Sequence, residues 1–183
     1  MGEFSADLLM MNLANGGTAI LTNPDDAQYL RVFRTSGTGN DLFGVVGQPT
    51  ILVDLPTAGY GRYDGIVIMA VDNTDGTYAL TGCARVTANR SGSVDTHFAE
   101  RSGRLNGDSD VNISGTISMA GAQLTGTAFS GGDLSTTGTV FDRSGVLTTT
   151  HNGQFFGRNA DEAGGTFTLG ANDLSVSALF SVD

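Results

Sequence analysis

Short strand-like runs separated by glycine-containing turns fill the sequence from about residue 60 to the C-terminus. The last run shows the pattern most plainly, because apolar residues at every second position share one face of a strand. These residues are Leu174, Val176, Ala178, Phe180 and Val182. Similar runs recur at intervals of roughly 8–15 residues, which predicts about eight to ten antiparallel strands joined as a meander.

Three dipeptides predict hairpin turns between these runs. Asp75-Gly76, Asn106-Gly107 and Asn152-Gly153 each combine two residues that accept the positive φ of a type I′ turn. After the third dipeptide, the sequence predicts a short strand with two adjacent aromatic residues and then a tight polar turn. One helical turn over residues 160–163 would be stopped by Gly164-Gly165, which would turn the chain into the next strand.

An up-and-down barrel is the architecture that these strands favour, because closing the sheet removes the edges that a meander would otherwise expose. Glycines recur inside the predicted strands, among them Gly65, Gly115 and Gly157, and they suit the sharp coiling of a small barrel. Residues 111–119 alternate apolar and polar side chains and predict one continuous, half-buried strand. A sandwich of two sheets is the alternative all-β fold.

The N-terminal part departs from this pattern. Residues 1–4, Met1-Gly2-Glu3-Phe4, resemble a cloning scar, and a native leader, with any lipid-bearing cysteine at its end, would have been removed upstream of them. Residues 5–58 predict a small N-terminal domain of mixed structure that packs on the rest. Residues 59–183 predict the barrel domain.

Within the small domain, Thr18 to Thr22 predicts one strand and residues 48–55 predict another. Asn23-Pro24 suits the start of a short helix, because Asn caps helix N-termini and Pro fits the first helical position. Leu30 would then face inward from that helix. The apolar residues around Met10 are assigned to the core, with a partner surface as the alternative.

Charge and composition exclude several classes of protein. The chain has nine Arg and Lys residues together against nineteen Asp and Glu, a net charge of −10, which argues against nucleic acid or an anionic membrane as a partner. The acidity is interpreted as a source of solubility, with steering toward a cationic partner as the alternative. No run is long and apolar enough for a membrane-spanning helix. Cys83 is the only cysteine, so no intrachain disulfide forms.

The two histidines are the strongest candidates for a ligand site. His97 is predicted to lie on the barrel exterior, and His151 is predicted to lie at the mouth of a hairpin. For both, an ordinary surface histidine is favoured over an axial haem ligand. They are far apart in sequence, and neither has cysteine or histidine neighbours at zinc-binding spacing, so no metal site is predicted.

Other polar residues give no catalytic pattern. Asp108, Asp110 and Asn112 resemble the start of a calcium loop, but the glycine and closing glutamate that such a loop needs are missing. Asp161 and Glu162 are expected to cap or solvate the predicted turn. No Ser-His-Asp order and no phosphate loop can be defended, so an enzyme is the weakest interpretation.

Three tyrosines allow two interpretations. Tyr60, Tyr63 and Tyr78 lie near the connector, shortly after the predicted start of the barrel. They fit either an aromatic contact patch or packing between the small domain and the barrel, and packing is favoured.

Two parts of the sequence resemble a known family. Leu55-Pro56-Thr57-Ala58-Gly59, followed by Tyr63-Asp64-Gly65, resembles the opening of the barrel domain in proteins similar to the lobes of transferrin-binding protein B. The stretch from Phe155 to Phe167 is similar to the most recurrent motif of that family, an aromatic pair and glycine followed by alanine, an acid and two glycines. The resemblance covers roughly residues 55–183.

The resemblance implies an eight-stranded antiparallel up-and-down barrel preceded by a small mixed "handle" domain. It also implies a non-enzymatic outer-membrane lipoprotein or secreted protein of a Gram-negative bacterium. Relatives capture host iron carriers, haem or complement regulators and pass nutrients to an outer-membrane receptor. Capture of haem or of a metal or haem carrier protein is therefore expected, with His97 and His151 as candidate haem ligands. An adhesin or structural protein of the envelope, with a protein partner and no small ligand, is the alternative.

Overall fold

The computed structural model describes residues 8–13, 16–23, 27–37, 42–89, 92–107, 109–138, 140–141 and 148–183. Within these ranges the chain is all-β, with a four-stranded sheet near the N-terminus and a larger ten-stranded sheet after it. The four-stranded sheet is called the handle from here on. Its strands are β1 (Leu8–Asn12), β2 (Thr18–Thr22), β3 (Leu30–Ser36) and β4 (Phe43–Gly47), each antiparallel to the next.

Ten further strands follow a connector that contains a short 3-10 helix at Leu52–Asp54. They are β5 (Tyr60–Asn73), β6 (Gly76–Asn89), β7 (Ser93–Leu105), β8 (Ser109–Ile113), β9 (Ile117–Thr125), β10 (Ala128–Ser130), β11 (Asp133–Thr136), β12 (Thr148–Phe156), β13 (Glu162–Ala171) and β14 (Leu174–Val182). None of the described helices is long and apolar enough to cross a membrane.

Eight of these strands close into a barrel. Hydrogen-bonded neighbours run in the order β9-β10-β12-β13-β14-β5-β6-β7, and the pairing of β7 with β9 returns to the start. The first half of β7 makes that closing contact, while its second half pairs with β8. β11 pairs with the first four residues of β9, outside this closed ring of strands. The predicted eight-stranded antiparallel barrel is therefore confirmed.

The barrel interior is filled by apolar side chains from every second position of its strands. The alternation predicted for β14 is confirmed, because all five of its predicted inward residues are buried. Aromatic rings converge at the centre, where Phe129 lies 5.4 Å from Phe155 and 6.4 Å from Phe180 between ring centroids, and Phe98 lies 5.8 Å from Phe167. Tilted rings at these separations add to the burial of apolar area.

The handle rests on the outer face of the barrel. Its small core contains Ala27 and Leu30, with Tyr29 and Val45 packed against them, and is completed by Phe156 from barrel strand β12. Main-chain bonds join the two parts as well, since Thr50 N donates to Phe155 O at 3.0 Å and Gly157 N donates to Gln48 O at 3.0 Å. The handle thus takes part of its core from the barrel wall.

The helix predicted after Asn23 is wrong for the residues that can be compared. Leu30 and Phe33 lie in β3, where β2 and β4 flank them, while residues 24–26 lie outside the described ranges. The amides of residues 28–30 donate to a barrel carboxylate instead of to helical carbonyls. The strand predicted over residues 48–55 is also wrong, because it is replaced by the connector with its 3-10 helix.

Two glycine signals mark close packing rather than turns. Asn152-Gly153 lies inside β12, and a side chain at Gly153 would collide with the Phe129 ring. Gly164-Gly165 lies inside β13, where a Cβ on Gly164 would lie 3.0 Å from Val45 and one on Gly165 would strike the backbone of β12. The predicted helical turn over residues 160–163 is absent, because β13 begins at Glu162. The hairpin turn predicted at Asn106-Gly107 is confirmed. β5 and β6 also form a hairpin, but its turn lies one residue earlier than predicted, at Thr74-Asp75, because Gly76 already belongs to β6 and pairs with Asn73.

The strand predicted over residues 111–119 is broken in two. β8 ends at Ile113 and β9 begins at Ile117, with Gly115 between them at a φ of 110°. A side chain at Gly115 would meet the backbone of Thr137, which lies against this corner. The alternation of residue types continues across the corner, so periodicity alone does not show it.

Candidate functional site

A row of polar side chains crosses the outer face of four barrel strands. The strand registers place Asp64 opposite Arg85, Arg85 opposite His97, and His97 opposite Ser118. Arg85 Nε donates to Asp64 Oδ1 at 2.6 Å, and the Nδ1 atom of His97 is 2.8 Å from Ser118 Oγ. The hydrogen bond from Arg85, together with the charge of Arg62, keeps the pKa of Asp64 below its usual value.

A groove of about 330 Å³ opens beside this row. Its lining includes Asp64, Arg85 and His97, together with the exposed Cys83 and the small residue Ala99. His97 is half-buried and lies on the barrel exterior, where the sequence predicted it. The groove therefore brings an imidazole, a thiol and a guanidinium together on one outer face.

His151 occupies a different environment. It lies within β12, not at a hairpin mouth as predicted, and only 1% of its surface is exposed. Its Nδ1 atom is 2.9 Å from Gly131 O, and its ring centroid lies 5.6 Å from that of Phe129 and 5.9 Å from that of Phe180. Burial lowers the pKa of His151, since the charged imidazolium is disfavoured away from water. The barrel wall thus separates the two histidines.

Arg101 is a buried cation that the sequence did not single out. Its Nη1 and Nη2 atoms donate to Phe98 O at 3.0 Å and Gly115 O at 2.8 Å, and its guanidinium lies 4.4 Å from the centroid of the Phe141 ring. Burial lowers its pKa to about 10. Arg101 lies at a register shift between β6 and β7, because Thr81 pairs with Ser102 while Cys83 pairs with Ala99. Residue types alone do not reveal this shift. Arg101 holds chain segments together inside the barrel.

Glu162 is the other residue whose role the sequence missed. It was expected to cap or solvate a turn, but it is 4% exposed and bonds to the handle. The neighbouring Asp161 is exposed. No sequence signal distinguishes the two acids, because the partner of Glu162 lies more than 130 residues away.

Several exposed apolar side chains lie on the connector and the handle. Ile51, Leu52, Val53 and Tyr60 form what we call the connector patch, in which Val53 is 85% and Tyr60 80% exposed. On the handle, the exposed large apolar residues are Met10, Met11, Leu42 and Val46. The assignment of Met10 and Met11 to a core is therefore wrong, because 61% and 44% of their surfaces face solvent.

The remaining candidates have structural surroundings or lie outside the described ranges. Tyr63 and Tyr78 are buried in the barrel core, so the predicted packing between handle and barrel is wrong for them. Tyr63 Oη donates to Ala160 O at 2.7 Å. Asp108 lies outside the described ranges, and Asp110 forms an exposed ion pair with Arg104 of β7, with 3.6 Å between Oδ1 and Nε. Among the described residues, no group of three or more His, Cys, Asp or Glu side chains is placed to hold a metal ion.

These features define a fold class, an antiparallel barrel whose described interior is packed with side chains and whose wall carries a small docked sheet. A family model described as the C-lobe and N-lobe beta barrels of Tf-binding protein B matches residues 55–182. The match covers well over half of the sequence, and the chain belongs to this family.

Solved structures share the fold. A point mutant of transferrin-binding protein B from Haemophilus parasuis Hp5 superposes with a TM-score of 0.68 at 17% identity, covering 98% of this chain and 37% of that one. The isotype 1 protein from serogroup B Neisseria meningitidis gives a TM-score of 0.64 at 18% identity, with coverages of 97% and 36%. The chain spans just over a third of the length of these relatives. No curated protein matches the sequence.

Proposed function

We propose that the chain is a non-enzymatic binding module that captures an iron-carrying protein at the bacterial surface. The observation that carries this proposal is the family match over residues 55–182. The solved relatives with this fold are named for binding transferrin, so transferrin is the first partner to consider. Haemoglobin and other haem carriers belong to the same class of partner.

The packed interior directs the search for a binding surface to the outside of the molecule. Three consecutive apolar side chains, Ile51, Leu52 and Val53, are each more than 60% exposed where the 3-10 helix of the connector begins. Exposed apolar side chains that are contiguous in this way are characteristic of protein-binding surfaces. Tyr60 adds an aromatic group of the kind that dominates binding energy at interfaces.

The net charge supports a protein partner of complementary sign. At −10, the chain repels other acidic molecules and steers basic surfaces toward itself over distances up to the Debye length. The apolar connector patch would supply short-range contacts after such an encounter. We expect the association rate to fall as salt concentration rises, with a smaller effect on dissociation.

A binding role also suits the placement of the histidines. His97 and His151 lie on opposite sides of the barrel wall, so they do not form one site. Arg101 and Glu162 are bonded to backbone atoms of the fold, as His151 is. These three buried groups therefore have backbone partners in place of a side-chain nucleophile or base.

Surface anchoring and a receptor are part of the proposal. Membership of this family supports a location at the surface of a Gram-negative bacterium, as a lipoprotein or a secreted protein, with an outer-membrane receptor as a further partner. Protease treatment of intact cells that produce the native gene product tests the location. Degradation without lysis is expected, whereas protection until lysis would contradict it.

Direct haem binding is the second candidate, and the groove at His97 favours it. The imidazole of His97 can serve as an axial ligand, and the guanidinium of Arg85 in the same groove suits a propionate. His151 is a poorer candidate, because haem would have to displace the packed rings of Phe129 and Phe180. A Soret titration should then respond to His97→Ala and not to His151→Phe, and the absence of any Soret shift in the wild type would exclude this candidate.

The decisive experiment measures binding of the purified chain to iron-loaded transferrin, iron-free transferrin and haemoglobin by biolayer interferometry, with serum albumin as a negative control. Binding to one carrier is expected, and Val53→Asp should weaken it at least about tenfold, because a charge would be buried at the contact. Ser175→Asp is the matched control, since it adds the same charge on an exposed residue of β14.

The outcomes separate the candidates. A wild-type chain that binds no carrier and no haem, but retains a different envelope or host protein, would favour the adhesin or structural alternative. Equal loss of binding in both charge variants would show that added charge, and not the connector patch, is responsible.

A further inference from the structure

A single barrel carboxylate receives three successive backbone amides of the handle. Glu162 Oε1 accepts from Gln28 N at 2.5 Å and Tyr29 N at 3.2 Å, while Oε2 accepts from Tyr29 N at 3.0 Å and Leu30 N at 3.0 Å. Consecutive N–H groups that converge on one anion form a concave binding site for it. Here the anion is a side chain from more than 130 residues away, so the contact is between two parts of the molecule.

These amides lie where the ladder between β2 and β3 no longer supplies partners. The described register ends with Thr22 opposite Val32, so residues 28–30 extend beyond it. On the other side of β3, Leu30 pairs with Gly47 of β4. Glu162 therefore continues the hydrogen bonding of β3 on the side that β2 leaves open. A buried amide without a partner is costly, which makes the carboxylate important for the start of this strand.

Glu162 faces away from the barrel core. It is the first residue of β13 and pairs with Phe156, and both side chains lie on the handle side of the wall. Among the described residues, its carboxylate accepts hydrogen bonds from handle amides and not from barrel strands. A change at this position acts first on the handle.

Other described polar contacts between the two parts come from the start of the connector. Thr50 donates through N to Phe155 O at 3.0 Å and through Oγ1 to Gly157 O at 2.9 Å. Glu162 attaches the beginning of β3 next to these bonds, because Leu30 pairs with Gly47 and Phe156 pairs with Glu162. The attachments therefore lie at one corner of the handle, where the chain enters β3 and where it leaves β4.

We propose that Glu162 is a positioning residue through which the barrel sets the orientation of the handle. On the proposed function, this orientation decides how the exposed residues of the handle and the connector patch face the partner together. The apolar contacts of Leu30 and Phe156 hold the handle on the barrel. Glu162 sets the orientation of the handle, because three amides hydrogen-bonded to one carboxylate allow little rotation of the handle relative to the barrel.

Hydrogen exchange of the full chain tests this proposal without any ligand. In Glu162→Ala, amides of residues 28–36 should exchange at least about tenfold faster, while those of β5 and β6 should change less than about twofold. Glu162→Gln keeps one acceptor oxygen and should give intermediate protection. Asp161→Asn, which changes the adjacent exposed acid, should match the wild type.

Other exchange patterns would overturn the proposal. Unchanged exchange in residues 28–36 of Glu162→Ala would show that the handle does not depend on this carboxylate. Equal acceleration of barrel and handle amides would make Glu162 an ordinary stability residue. Failure of Glu162→Gln to restore any protection would also contradict the hydrogen-bonding argument.

Affinity for the iron carrier tests the consequence for binding. Glu162→Ala should weaken carrier binding at least about fivefold at a temperature where its barrel remains folded, and Glu162→Gln should recover part of that loss. Unchanged affinity in Glu162→Ala would overturn the positioning role in recognition. If the wild type binds no carrier, the proposed function fails, and hydrogen exchange still decides whether Glu162 positions the handle.

Discussion

The barrel and the handle bury apolar side chains in very different ways. The barrel core combines residues from all eight barrel strands around the rings of Phe98, Phe129, Phe155, Phe167 and Phe180. Among the described residues, the buried cluster of the handle contains Ala27 and Leu30 of its own and is completed by Phe156 of the barrel, while Ala19 and Val32 are buried elsewhere in the sheet. Since stability comes largely from buried apolar area, the barrel has the means to fold alone and the handle does not.

Two adjacent residues show this difference most clearly. Phe155 points into the barrel, with its ring centroid 5.7 Å from that of Tyr63, and Phe156 points outward under the handle. Because successive side chains of a strand face opposite sides, one stretch of β12 serves both cores. The barrel wall is therefore also the floor of the handle, and variants on its two faces should separate the two regions.

The largest expected effect comes from filling the wall itself. In Gly165→Val, the new side chain would meet the backbone of Asn152 and Gly153 and the Phe180 ring, so we expect the barrel to lose more than about 3 kcal/mol of stability or to fail to fold. Urea denaturation measures this. Gly170→Ala in the same strand is the control, since its Cβ would meet only the Thr148 side chain at 3.0 Å. Equal stability of the two variants would show that the wall tolerates a side chain.

Removing one aromatic ring from each face of β12 should affect the barrel and the handle separately. Phe155→Ala should destabilise global unfolding by about 3–5 kcal/mol, because it leaves a cavity among the barrel rings. Phe156→Ala should expose handle amides to hydrogen exchange while the main thermal transition of the barrel changes little. If Phe156→Ala lowers barrel stability as much as Phe155→Ala does, the two regions unfold as one cooperative unit.

His151 gives the barrel a pH dependence of defined sign. Its pKa is lowered by burial, so its contribution to stability is present above the ordinary value of about 6.5 and is lost as pH falls through the lowered pKa. The slope is at most about 1.4 kcal/mol per pH unit for one proton. His151→Phe should remove this slope from urea denaturation curves measured between pH 7 and pH 5. The same slope in the variant would assign it to another group.

Glu162 should give the handle a pH dependence of the opposite sign. Burial raises its pKa, the amides of residues 28–30 oppose this effect, and the charge of Asp183 adds to it. The pH-dependent part of its contribution to handle stability is therefore fully present below the ordinary value of 4.5 and is lost as pH rises through the raised pKa. Protection factors of residues 28–36 should decline over that range in the wild type and stay level in Glu162→Gln. A decline on acidification would contradict the sign.

Much of the barrel could be predicted from residue alternation, since a period of two residues directly reports which side chains share a face. The inward set of β14 and the turn at Asn106-Gly107 are examples. Glycine was harder to interpret, because the same residue permits a tight turn and a close approach of chains. At Gly153 and Gly165 the second reason holds, and the neighbours that require it come from other strands.

The candidate surfaces were less predictable than the fold. Alternation places Phe156 and Glu162 on the outer face of the barrel, where a sequence gives no reason to expect burial. Both are buried because the handle covers them, and its strands are distant in sequence. Likewise, the exposure of Met10 and Val53 depends on what the tertiary structure leaves uncovered. Local patterns carry no information about such long-range contacts.

The shared wall also fixes an order of assembly during synthesis. The handle strands leave the ribosome first, but Phe156, Glu162 and Gly164, on which they rest, are made in the last part of the chain. The barrel also cannot close before the end of this sequence has been made, because β5 pairs with β14. The handle strands are therefore made before the surface on which they pack, and their apolar side chains stay exposed to solvent until that surface has been synthesised.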